Sequence, residues 1–268
     1  MDTKENFSPD LHIHSFFSYD GNEKTETYIK KAVERGDKII GFSEHYDFDC
    51  RLLGDTTPLC DIEKYHSEIL RLRDKYARKI EILFGIEFGY DRKACAHYAE
   101  LVQKYNFDYV INSVHLINGK DCCRSECWEN KTEKELYVKY FEKVFQSIDA
   151  VYPWQIVGHL GYPCRYAPSG MREIPYVNYK EFYDEILKKI IQNGKVLEIN
   201  TSTKGNVLCL PNIEVLRRYK ELGGKYVTFG SDAHSIERYR EKENKIREII
   251  ENSGFSEVFF RKGCLCEI

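Results

Sequence analysis

The chain has 268 residues, with 40 Lys and Arg against 43 Asp and Glu, a formal charge of −3. That length suits one sizeable core, so residues 1–268 read as a single domain, and the near-neutral balance argues against a grip on long nucleic acid, which needs a basic surface. No apolar run approaches the length of a membrane span, and polar Met1–Asp10 carries no secretion signal, so a cytoplasmic protein is expected.

In chain order, Asp10–His14 reads as a strand, followed by a helix over Glu26–Arg35 that stops at Gly36. A strand over Lys38–Glu44 leads to a helix over Asp61–Ala77, and a strand over Ile80–Phe88 to a helix over Ala94–Tyr105. Then come strand Tyr109–His115 and helix Thr132–Val151, and strand Gln155–Leu160 and helix Tyr179–Asn193, which stops at Gly194. Strand Val196–Asn200 precedes helix Ile213–Leu222, closed by Gly223 and Gly224. Strand Tyr226–Ser231 precedes helix Ile236–Asn252. Ten cysteines are scattered among these elements with no CxxC pair, and reduced thiols are expected. Cys122, Cys123 and Cys127 read as a cysteine-rich loop, with a soft-metal site as the alternative. Cys264 and Cys266 read the same way.

Seven strand–helix units in a row imply a parallel sheet with helices outside. An open sheet and a closed barrel both fit the alternation. The strand ends favour the barrel: LHIH, GFSEH, FGIEF, NSVH, VGHL, LEIN and GSDAH all finish on, or run into, polar groups, and a barrel gathers such ends around one mouth. Six of the eight histidines lie there, His12, His14, His45, His115, His159 and His234, beside the carboxylates Asp20, Glu44, Glu87 and Asp232. His66 and His97 fall inside helices and read as non-ligands. One histidine at a strand end is ordinary; six together point to a metal centre. Imidazole and carboxylate suit Zn, Mn and Fe. His12 and His14 are two apart in a strand and share a face, and Asp232 and His234 repeat that spacing at the last strand. Glu87 ends an apolar strand, where an unpaired carboxylate is costly and a metal bridge satisfies both oxygens.

The segments LHIHSFFSYDG, FSEH, GIEF, NSVH, GHLGY and GSDAH resemble, in order and separation, the motifs of the polymerase-and-histidinol-phosphatase (PHP) superfamily, from His12 to His234. The runs HSFFSYDG, FSEHYDF, NSVHLINGKD, GHLGYPCRYAP and LEINTS are most similar to those of its monofunctional histidinol-phosphatases. The resemblance implies a distorted (β/α)7 barrel, TIM-like, with two or three divalent ions (Zn, Mn or Fe) at the C-terminal ends of the strands. It places one ion on His12, His14, Glu87 and Asp232, a second on Glu87, His115 and His159, and a third on Asp20, His45 and His234. It implies hydrolysis of L-histidinol phosphate to L-histidinol and phosphate, a step of histidine biosynthesis, through a metal-bridging hydroxide.

Asp232 and His234 are the candidate proton carriers. Arg165 is the candidate phosphate clamp, since guanidinium binds phosphate in a bidentate way. His45, Ser202 and Lys204 are further candidate substrate contacts. Gly161 stands where those phosphatases carry an Asp, and Ser202 where some carry a phosphate-holding Arg, which Lys204 can replace as a point charge. Glu44 reads either as a residue orienting a ligand or as one pointing away; Asp47 and Asp49 read equally as substrate contacts or plain loop residues. Tyr162 and Tyr166 read as packing aromatics, with a pocket wall as the alternative. Competing readings are a PHP phosphoesterase acting on a nucleotide, sugar phosphate or phosphotyrosine, and a degenerate barrel without activity. The second conflicts with a ligand set in which all nine positions are filled.

Overall fold

The computed structural model describes residues 8–48, 50 and 58–268; Asp49 and the residues before position 8 lie outside them. The strands are β1 (Ile39–Tyr46), β2 (Glu81–Gly89), β3 (Tyr109–Ser113), β4 (Leu116–Ile117), β5 (Lys120–Asp121), β6 (Ile156–Val157), β7 (Val196–Asn200), β8 (Tyr226–Gly230), β9 (Ser256–Arg261) and β10 (Cys264–Glu267). The helices are α1 (Thr25–Arg35), α2 (Ile62–Tyr76), α3 (Cys95–Tyr105), α4 (Glu133–Ser147), α5 (Lys180–Gln192), α6 (Ile213–Glu221) and α7 (Glu243–Ser253). Caps fix several helix starts: Asp61 accepts from the Lys64 amide, Asn212 from the Val215 amide, and Thr132 and Glu135 form a reciprocal capping box.

The main sheet runs β1-β2-β3-β6-β7-β8-β9-β10. Every neighbouring pair from β1 to β9 is parallel. Residues 10–14 join its two sides. Leu11 and His14 donate to the carbonyls of Phe229 and Ala233 at 3.1 and 2.9 Å, while Gly41 and Ser43 donate to those of Asp10 and Ile13 at 2.9 and 3.0 Å. The expected distorted seven-unit barrel is therefore closed, although this first segment makes isolated bridges rather than a regular ladder.

Three regions differ from the sequence reading, the first being the short antiparallel hairpin of β4 and β5 that follows β3. The antiparallel hairpin of β9 and β10 was not foreseen; β9 pairs with the start of β8, through Tyr226 and Val227, and leaves its end free for residues 10–14. The last helix begins at Glu243, not Ile236. Arg240 and Lys242 take left-handed φ values of 56° and 63°, and the Arg240 side chain turns inward to Glu243 and to the Ser8 carbonyl, which breaks the helical run.

Two cores follow from strand alternation. A large one fills the space between strands and helices, and a smaller one, with Leu83, Tyr109, Ile111, Ile156 and Val196, fills the barrel. Along the inward face the side chains change from apolar to polar toward the C-terminal end: Leu83 then Glu87, Tyr109 then Ser113, Val196 then Glu198 and Asn200. Tyr109 stiffens this floor by donating its hydroxyl to the Leu11 and Phe42 carbonyls at 2.6 and 3.0 Å.

Candidate metal centre

The polar upper layer of the barrel brings the nine candidate ligands into three groups. In the first, His12 Nε2 and His14 Nε2 lie 3.3 and 3.6 Å from Glu87 Oε2, and 3.8 and 3.4 Å from Asp232 Oδ1. In the second, His115 Nε2 and His159 Nε2 lie 3.3 and 2.9 Å from Glu87 Oε1 and 3.3 Å from each other. In the third, Asp20 Oδ2 lies 3.2 Å from His234 Nε2 and 3.8 Å from His45 Nε2. Glu87 thus offers one oxygen to each of two groups. The first two groups are buried; the third opens to solvent through Asp20 and His234.

Buried His12 Nε2 and His14 Nε2 have no hydrogen-bond partner, and both face Glu87 Oε2, which His45 Nδ1 approaches to 2.7 Å. Orphaned polar atoms aimed at one point are costly unless something binds there. Spacings of 3 to 4 Å between nitrogen and oxygen donors suit a divalent ion with bonds of about 2 Å. The residues present fit the metal ions that the sequence reading implies.

The charges tell the same story. Burial pushes the Glu87 carboxyl up, but His12, His45 and His115 outweigh it and hold it well below the usual range. Burial likewise opposes protonation of His45, and Glu87 and Asp20 still raise it to about 10. His14 goes the other way: burial and its neighbours His45 and His234 hold it well below the imidazole range. Asp232 stays anionic, because Arg165 and His12 overcome the effect of burial. Two candidate ligands also occupy strained backbone, Asp232 at φ 51° and His159 at φ 21°.

A ring of buried groups holds these candidate ligands from behind. Glu44 turns inward: it accepts from the Ser15 amide and from the Ser15 and Ser18 hydroxyls, and Ser18 Oγ lies 3.2 Å from His14 Nδ1. Asp47 Oδ1 sits 2.9 Å from His115 Nδ1 and so orients an expected ligand. Ser113 donates to Glu87 Oε1 at 2.6 Å. Glu198, which sequence reasoning missed, lies 2.5 Å from His12 Nδ1. The signal was available, since Glu198 shares the inward face of β7 with Asn200.

A cavity of about 90 Å³ opens onto the centre, lined among others by His45, His115, His159, Asp232 and His234. Arg165 lies in its wall, 2.9 Å from Asp232 Oδ2, and donates to Asn200 Oδ1 at 2.7 Å; its buried Nε has no partner. Tyr162 and Tyr166 line the same cavity, and the Arg165 guanidinium stacks 5.3 Å over the Tyr162 ring. Lys204 and Ser202 are not among the lining residues. Lys204 Nζ rests 4.3 Å over Tyr166, and the Ser202 amide donates to Asn200. Gly161 takes φ 109° at the start of the turn that carries Arg165. His66 and His97 lie outside the centre, His97 bonded to the Tyr46 hydroxyl at 2.9 Å. A wider surface depression, about 850 Å³ and lined by Phe16, Lys24 and Arg71, holds none of these histidines.

A profile of the PHP domain matches residues 10–202. A probable histidinol-phosphatase of Clostridium acetobutylicum is 32% identical over 94% of this chain and 96% of its own. The histidinol-phosphatase of Lactococcus lactis is 31% identical over 93% of this chain and 92% of its own. The crystal structure of the Lactococcus lactis histidinol phosphate phosphatase, complexed with zinc, L-histidinol and phosphate, superposes with a TM-score of 0.86 at 29% identity, covering 97% of this chain and 98% of that one. The chain belongs to the PHP domain family.

Proposed function

We propose that this PHP-domain chain is a divalent-metal-dependent phosphomonoesterase that hydrolyses L-histidinol phosphate to L-histidinol and phosphate. One observation carries the reaction class: nine donors from six strand ends fall into three ligand groups, two of which share Glu87. Similarity to histidinol-phosphatases over nearly the whole chain supports the substrate. It also supports a role in amino-acid biosynthesis in the cytoplasm.

Divalent ions bound there supply Lewis-acid charge and acidify a water to near neutral pH. The chain's own residues do the rest. Arg165 lines the cavity with Nη2 anchored on Asp232 and Asn200, and its unpartnered Nε donates to a non-bridging phosphate oxygen. Asp232 accepts a hydrogen bond from the attacking water at Oδ1, while Arg165 holds its Oδ2. His115 and His159 are fixed behind the phosphate by Asp47 and Glu198, so little reorganisation accompanies the reaction. The leaving alcohol projects toward Asp121 and Tyr19, at the rim that the cavity shares with a second hollow of about 90 Å³. Tyr162 and Asp121 hydrogen-bond across this rim at 3.2 Å.

The test is steady-state phosphate release from L-histidinol phosphate by the zinc- or manganese-loaded protein, with p-nitrophenyl phosphate in parallel. A kcat/KM for histidinol phosphate many orders above the generic ester is expected. Similar, low values for both would discard the substrate and turn attention to nucleotides, sugar phosphates and phosphotyrosine.

A further inference from the structure

Glu198 is the one carboxylate that reaches the centre from within β7 and belongs to none of the three ligand groups. It is 1% exposed. A carboxylate this deep must be held by specific partners. Its Oε1 lies 2.5 Å from His12 Nδ1, and its Oε2 accepts from the His159 amide at 2.6 Å and from Asn200 Nδ2 at 3.1 Å. His12 and His159 belong to different ligand groups, so one side chain touches both.

Each contact has a distinct consequence. An anionic acceptor at Nδ1 keeps the proton on that nitrogen, which leaves the Nε2 lone pair of His12 directed at Glu87 and Asp232. The amide contact fixes the backbone of His159 at the residue whose φ is 21°, outside the usual region for a side chain of this size. The Asn200 contact carries the link further: Asn200 Nδ2 also lies 3.3 Å from Asp232 Oδ2, and its Oδ1 accepts from Arg165. Two residues of one strand, 198 and 200, therefore tie three expected ligands to the expected phosphate clamp.

The neighbouring strand is cut to fit this arrangement. A Cβ at Gly230 would overlap Glu198 Oε1 and the Cβ of His12. Gly230 follows Phe229 on β8, where the backbone passes close beneath the carboxylate, and only the absence of a side chain leaves the path from Glu198 to His12 open.

We propose that Glu198 is a positioning residue of the metal centre, which sets the tautomer and direction of His12 and the backbone of His159 together. The proposal rests on the metal-centre reading above. The experiment titrates metal-depleted protein with zinc or manganese alone, by calorimetry, and records the visible spectrum of the cobalt-loaded form. Glu198→Gln keeps the shape and removes the charge that fixes the His12 proton. Its metal affinity is expected to fall about 10- to 100-fold, with an altered cobalt spectrum, while the metal-free protein melts as wild type does. Glu198→Asp keeps the charge and withdraws it by one methylene, and the same weakening is expected; it serves as the test should the glutamine variant not fold. Wild-type affinity and spectrum in either folded variant overturn the role of Glu198. Absence of metal binding by the wild type overturns the centre itself, a result distinguishable from the first.

Discussion

Glu87 and Arg240 are both enclosed charges, 0% and 4% exposed, at opposite ends of the barrel, and their surroundings differ in kind. Arg240 sits near the strand starts and is matched on all but Nη1, which lies 3.8 Å from the Asp37 carboxylate. Its Nε donates to Glu243 at 2.8 Å and its Nη2 to the Ser8 carbonyl at 2.8 Å, and Glu243 also takes Arg35 at 2.6 Å and Arg247 at 2.7 Å. Glu87, at the mouth, faces His12, His14 and His45, and the facing atoms of His12 and His14 lack hydrogen bonds. One cluster closes on itself and holds the chain together. The other converges on points that belong to something else. Burial and charge alone do not mark a functional site; unsatisfied convergence does.

The contrast breaks most sharply at Glu87. Glu87→Ala is expected to lose bound metal and to lower kcat/KM by about 10³-fold or more, read by metal analysis and phosphate release. Retention of full metal content would contradict its bridging position. At the other end, Arg240→Met removes the most buried of the three arginines on Glu243 and leaves Arg35 and Arg247 in place. A loss of about 1.5–3 kcal/mol in urea unfolding is expected, with kcat per folded molecule unchanged. Arg165→Ala lies between the two, since it removes both a substrate contact and the partner of Asp232: kcat/KM should fall about 100-fold while metal remains bound. Unchanged kinetics would remove Arg165 from the site.

The smallest effect concerns pH. Glu257, in β9, has an enclosed Oε1 without a hydrogen bond, and burial raises its carboxyl to about 7 against Arg247 and Arg240. A carboxyl with a raised folded pKa stabilises the fold below its unfolded value of 4.5 and loses that contribution as pH rises through about 7. Glu257→Gln should therefore be more stable than wild type at pH 8, by about 1 kcal/mol after allowance for its partial exposure, and indistinguishable at pH 4. Parallel melting curves in which the difference does not change with pH would assign the effect to packing.

Much of this was legible in the residues. The seven strands announce themselves by apolar runs that end in polar groups, and the barrel's inward face changes character along each strand, so the nine donors could be named from spacing and resemblance. What escaped is physically instructive. Glu198 lies inside VLEIN, where alternation puts it on the inward face with Asn200 but does not name its partner; the fold shows His12 against it. Asp47 was open to two readings because loops conceal direction, and it proves to hold His115. The start of α7 was misplaced because helical periodicity ignores the inward pull on Arg240. The final hairpin was missed since VFF and CLC flank only a short turn at Lys262 and Gly263.

The closure of the barrel by residues 10–14 also sets a schedule. Asp10 and Ile13 meet Phe229 and Ala233 across more than two hundred intervening residues, among the highest sequence separations the chain offers. Such a contact is slow to form, because the loop-closure entropy is met before the contact rewards it. On the ribosome, the segment bearing His12 and His14 emerges long before its partner strand and waits, with β1 as an open edge, until β8 has been made. The site is thus complete only once β8 is in place, and metal arriving then acts as a latch on a nearly finished fold.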